Sequence, residues 1–76
     1  SMLEKIIAII IAETGQPGVS AQTDLVRDLQ LNSFDIVNIV AALEETFDVE
    51  INVREIRKIR NVKDILTTLT RLGAHD

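Results

Sequence analysis

The sequence has no cysteine, no tryptophan and no tyrosine, one proline and one histidine. Without cysteine there can be no disulfide and no thiolate zinc site. His75 stands one residue from the end, and a metal site made of carboxylates alone has no support in the spacing. Long apolar runs are also missing. The longest, Ile6 to Ala12, falls far short of the about 20 residues needed to cross a bilayer. It lacks the basic flank and small-residue cleavage site of a signal peptide. With 76 residues the chain admits one domain, residues 1–76. A domain of this size buries only roughly 60% of its unfolded surface and keeps roughly 3–5 kcal/mol of stability. That leaves little room for a deep cleft lined by several polar groups, which argues against an enzyme. Ser1 ahead of Met2 reads as an expression scar, so the chain is expected to be free-standing, monomeric and cytoplasmic.

What is present is aliphatic. Ile, Leu and Val must supply the core, helped only by Phe34 and Phe47 among aromatics. The charge is divided. Residues 1–50 hold nine acids against Lys5 and Arg27, whereas residues 51–76 hold six basic residues against three acids, for a net of −4. Two faces attracting different partners are expected from this polarity. The basic cluster from Arg54 to Lys63 puts five cations within ten residues. Nucleic-acid or anionic-membrane binding is a weak reading of it, because the rest of the chain is acidic and offers no aromatic stacking platform.

Apolar residues at Leu3, Ile6, Ile7 and Ile10 predict a helix over Met2–Glu13, ended by Gly15, Pro17 and Gly18. A long connection follows to Leu31. Its Val19, Leu25, Val26, Leu29 and Leu31 predict that it packs down, with Thr23 able to cap one turn inside it. Three segments then repeat one device: Asn32-Ser33-Phe34-Asp35, Asn52-Val53-Arg54-Glu55 and Asn61-Val62-Lys63-Asp64. Asn accepts from a first-turn N–H and the acid reaches back to the Asn N–H, each cap being worth about 1 kcal/mol. The predicted helices are Ser33–Phe47, a short Val53–Ile59, and Val62–Leu72. No strand reading competes, so the fold class is all-α: a four-helix bundle with a long first loop and a short third helix.

The second helix carries two apolar stripes. Ile36, Ile39, Val40, Leu43 and Phe47 form the expected core face, and Phe34, Val37 and Ala41 lie about 100–160° around from Ile36. The second stripe is either further core or a docking patch flanked by Glu44 and Glu45; the exposure of Phe34 and Val37 separates the two. Ser33 begins this helix, where backbone N–H groups are unpaired and the dipole favours an anion such as a phosphodiester. Taken locally, an ordinary helix-start serine, or the cap itself, is the stronger reading of Ser33.

The run Leu25-Val26-Arg27-Asp28-Leu29-Gln30-Leu31-Asn32-Ser33-Phe34-Asp35 is a leucine-rich approach to an Asn-Ser-Phe-Asp helix start. It resembles the acyl carrier protein family, whose domain binds phosphopantetheine and whose motif there is Asp-Ser-Leu-Asp/Glu. Leu43-Glu44-Glu45-Thr46-Phe47, Val49-x-Ile51 and Asn61-Val62-x-Asp64-Ile65 match in order along nearly the whole chain. The resemblance implies a 4′-phosphopantetheine arm, taken from coenzyme A by a phosphopantetheinyl transferase and attached to Ser33. Acyl groups then ride as thioesters for fatty acid, polyketide or other lipid biosynthesis, and loading, condensing or acyltransferase enzymes perform the chemistry. It implies docking through Phe34, Asp35, Val37, Ala41, Glu44 and Glu45, and an acyl pocket lined by Val40, Leu43, Phe47, Ile51 and Ile59. Neither nucleic-acid binding nor stable membrane insertion belongs to this reading.

The chain departs from the family pattern at several points. Asn32 replaces the usual Asp, Phe34 the usual Leu, and Gln30 a common Gly; Asn38 stands at a position that is often acidic, and the third helix is unusually basic. These departures point to a specialised carrier with dedicated partners. The alternatives are an aminoacyl carrier, of the D-alanyl or peptidyl kind, and a carrier-like interaction module that is never modified.

Overall fold

In the computed structural model, which describes residues 1–76, four helices follow one another: α1 (Met2–Thr14), α2 (Ser33–Phe47), α3 (Val53–Arg57) and α4 (Val62–Arg71). The all-α expectation holds. α1 runs one residue past its predicted end, where the Thr14 hydroxyl donates to the Ile10 carbonyl at 2.7 Å. Gly15 then turns the chain at φ 71, a conformation that suits a residue without Cβ, and its N–H donates to Ile11 O.

The Asn-x-x-acid device works in full twice. Asn32 Oδ1 accepts from Asp35 N–H at 2.9 Å while Asp35 Oδ2 accepts from Asn32 N–H at 3.0 Å. Asn61 and Asp64 repeat the exchange at the start of α4. At α3 only half of it forms. Asn52 Oδ1 accepts from Glu55 N–H, but the Glu55 carboxylate turns away to take both nitrogens of the Arg71 guanidinium on α4. α3 also stops at Arg57 instead of reaching Ile59. After it the N–H groups of Lys58 and Ile59 bond three residues back, to Glu55 and Ile56, and this tighter winding ends an α-helix.

α1 packs against both α2 and α4. Ile6 and Ile10 meet Ile39, Leu43, Val62, Ile65 and Leu69 in a fully closed interior. Burying each such side chain stabilises the fold by about 1.5–3 kcal/mol. The long connection contributes Val19, Leu25, Leu29 and Leu31 to this core, as its composition predicts. Val26 does not follow them and is 60% exposed. Its segment forms a helical turn in which Leu25 and Leu29, four apart, share the inward side, leaving Val26 outward. Thr23 does not cap that turn; Asp24 does. Asp24 Oδ1 accepts from the N–H groups of Val26 and Arg27, and Asp28 Oδ2 accepts from Asp24 N–H. The Thr23 hydroxyl instead accepts from Ser20 N–H within the connection.

The same connection is stitched to the α3–α4 link. Leu25 N–H donates to Arg60 O, Val62 N–H to Thr23 O and Lys63 N–H to Ala21 O, with an antiparallel bridge between Asp24 and Asn61. This seam holds the basic segment beside the Asp24–Leu29 turn. No helix is long and apolar enough to cross a membrane.

Candidate functional site

Ser33 is the first residue of α2, and it is exposed. Asn32 takes the cap, so the Ser33 hydroxyl is not spent on closing the helix end. Ile36 N–H already bonds Asn32 O and Asp35 N–H bonds the Asn32 side chain. The N–H groups of Ser33 and Phe34 are thus left facing solvent beside the hydroxyl. A nucleophilic oxygen, two free donors and the positive end of a fifteen-residue helix coincide at one point. The helix dipole and free donors there stabilise an attached anion.

The second stripe of α2 lies at the surface. Phe34 is 73% and Val37 58% exposed, and Ala41 and Glu45 are exposed with them. The core reading of this stripe is thereby overturned. The acids differ among themselves. Asp35 gives one carboxylate oxygen to the cap, and Glu45 is exposed. Glu44 is half-buried, and its Oε2 accepts from Ile51 N–H at 2.8 Å. The Glu44 carboxylate thereby pins the α2–α3 link seven residues further along the chain.

Of the residues expected to line an acyl pocket, Val40, Leu43, Phe47 and Ile51 are buried in the closed core. Ile59 is half-buried and packs against that core. It lines a cavity of about 160 Å³ together with Asp24, Val26, Arg57 and Arg60, at the seam between the long connection and the α3–α4 link. Sequence reasoning did not foresee this cavity. Asp24 is held charged there, its carboxyl below the ordinary carboxylate range, first by the Arg27 backbone N–H and further by Val26 N–H and the nearby Arg27 and Arg60 charges. Across α3, the Arg71 guanidinium likewise holds Glu55 low, and Glu55 raises Arg71.

Residues 4–69 match the family profile described as a phosphopantetheine attachment site. The chain is 40% identical to an acyl carrier protein of Syntrophobacter fumaroxidans over 73 residues, covering 93% of this chain and 90% of that one. It is 32% identical to an acyl carrier protein of Akkermansia muciniphila over 74 residues, 95% of this chain and 92% of the other. The chain belongs to the acyl carrier protein family. A solved Mycobacterium tuberculosis structure assigned to the acyl carrier proteins superposes with a TM-score of 0.87 at 30% identity, covering 93% of this chain and 97% of that one. An Anaplasma phagocytophilum structure shares the fold, with a TM-score of 0.87 at 23% identity over the whole of this chain and 92% of its own. The prosthetic group of this acyl carrier domain is 4′-phosphopantetheine. The start of α2 fits such a group: the hydroxyl is free, exposed and flanked by unpaired donors.

Proposed function

We propose that this carrier bears its 4′-phosphopantetheine arm on Ser33 and shuttles acyl groups for a specialised lipid or polyketide pathway. The observation that carries the attachment is the Asn32 cap, which leaves Ser33 first in the helix with its hydroxyl uncommitted. In the transfer, a bond forms between Ser33 Oγ and the phosphorus that bears pantetheine. The phosphoanhydride bond of coenzyme A breaks, adenosine 3′,5′-bisphosphate leaves, and the serine proton passes to a base on the transferase. The arm supplies a terminal thiol that holds the acyl group as a thioester. The chain's own residues present and orient. The free N–H groups of Ser33 and Phe34 favour the phosphodiester, while Phe34, Val37 and Ala41 give enzymes an apolar footing beside it, with Asp35 and Glu45 at its margin. In this reading the carrier contributes no catalytic group and works as a cytoplasmic monomer.

Val40, Leu43, Phe47 and Ile51 are packed in the core, and a sheltered acyl chain would enter by parting these side chains. Incubation with coenzyme A and a broad-specificity transferase tests the reading. Intact mass is expected to rise by one arm, and Ser33→Ala to abolish the gain. No gain, or a gain that survives the substitution, overturns it.

A second reading rests on Asn32 and Phe34, which alter the charge and shape beside the hydroxyl: an unmodified interaction module of the same fold. Asn32→Asp keeps the cap geometry and adds the missing charge. The carrier reading expects a faster transfer to this variant; a wild-type chain that stays unmodified while Asn32→Asp is modified supports the module.

A further inference from the structure

All five cations between Arg54 and Lys63 lack a carboxylate partner. The four ion pairs of the chain join Ser1 to Glu4, Lys5 to Asp76, Arg27 to Asp24 and Arg71 to Glu55. The unpaired charges are not scattered. Arg57 and Arg60 line the cavity at the seam, whose apolar wall comes from Val26 and Ile59. The one acid there, Asp24, is committed, since its Oδ1 accepts from Val26 and Arg27 N–H at 3.1 and 2.7 Å. Val26 is 60% exposed, and Val53, 59% exposed, stands one helical turn before Arg57 on α3. The support is rigid: the three backbone bonds of the seam fix one side and the Glu55–Arg71 fork fixes α3 on the other.

We infer that this basic face is a second docking surface, for an acidic segment of a partner protein that seats an aliphatic side chain in the cavity between Arg57 and Arg60. Charge complementarity identifies the occupant. Arginine forks match carboxylates in pairs and are favoured at the centre of protein interfaces. The cavity is open to solvent and its volume of about 160 Å³ leaves room for one branched side chain. A long polyanion fits less well, because residues 1–50 carry nine acids against two basic residues and would repel whatever extends past the face. The apolar wall also has no use in binding phosphate alone. Such a surface would let one partner hold the carrier here while α2 remains open to another.

The inference rests on the carrier reading for its partner, an enzyme of the pathway, but its test does not need the arm. The probe is a synthetic amphipathic helical peptide with Leu on one side and Glu on the other, added to ¹⁵N-labelled full-length protein. A matched peptide has Lys in place of every Glu. The acidic peptide is expected to shift amides in Asp24–Arg27 and Val53–Lys63, and the Lys peptide to leave them unmoved. Arg57→Glu with Arg60→Glu should weaken the acidic peptide at least about tenfold, Val26→Asp should weaken it too, and raised salt should reduce it. These three positions are at the surface or its margin, and an unchanged amide spectrum elsewhere verifies the fold of each variant. Ser33→Ala should bind as the wild type does. The inference fails if the acidic peptide shifts other amides, or if binding survives the double reversal. It fails as well if the face moves with the chain's own concentration, which makes a second copy the occupant. Equal binding of phosphatidylglycerol vesicles or a single-stranded RNA also overturns it. A failed mass test with these shifts intact removes the arm and leaves the surface.

Discussion

Gln30 sits at φ 55, in the left-handed region that glycine occupies without cost. Forcing an L-residue there costs roughly 1–2 kcal/mol, of which glycine's greater unfolded freedom returns roughly 0.5–1. Gln30→Gly is therefore expected to stabilise the protein by about 0.5–1 kcal/mol, read as a higher midpoint in urea with an unchanged slope. Two positions on, Asn32→Ala removes the acceptor of Asp35 N–H and should cost about 1 kcal/mol. Ser33→Ala, at an exposed residue outside the cap, should change stability by less than about 0.5 kcal/mol while removing the modification. The contrast separates a structural role from a chemical one at neighbouring residues. Position 30 stood out in the sequence as a place where glycine is common, but only the backbone angle gives the substitution an energy.

At the scale of elements, α3 is the exception. It has five residues, buries none of them fully, and is held through Glu55. The Glu55 carboxyl is depressed mainly by its hydrogen bond to Arg71, and Asp24 and Glu4 are depressed as well. A depressed carboxylate contributes stability that is fully present above its unfolded value and is lost as pH falls through its folded value. Stability should accordingly decline as pH drops below about 4.5, the ordinary glutamate value. Glu55→Gln should flatten part of that acid limb and increase amide exchange within Val53–Arg57. The starts of α2, α3 and α4 were legible because Asn followed three residues later by an acid has one cheap use, a helix cap. The end of α3 was not, because it depends on a switch in bonding pattern that no residue type announces. Nor was the refusal of Glu55 to complete its box, since its competitor Arg71 lies sixteen residues away.

For the whole molecule, the interior and the surface stripe of α2 make opposite predictions. Leu43→Ala opens the closed core and should cost about 2–5 kcal/mol, a large share of what a domain of this size holds. Phe34→Ala and Val37→Ala should leave the melting curve nearly unchanged yet slow the transferase reaction, a pairing that only a docking role explains. The four-helix class, most of the core and the special position of Ser33 could be read from periodicity and from the ordered family pattern. The inward turn of Glu44 and the cavity could not. Each is made by segments that meet only after folding, and the outward Val26 depends on a turn whose cap, Asp24, gave no strong signal.

The seam between residues 21–25 and 60–63 has a consequence in time. Its hydrogen bonds join positions roughly 40 residues apart, and closing a loop of that length costs about 3 kcal/mol beyond a constant. Contacts of such separation form only after that closure entropy is met, so the seam is expected to close late in folding. In refolding followed by pulsed amide exchange, Leu25, Val62 and Lys63 should therefore gain protection after Ile10 and Leu43. A partner that gripped the basic face would lock this latch, so its binding would also be felt as slowed exchange at the seam amides beneath it.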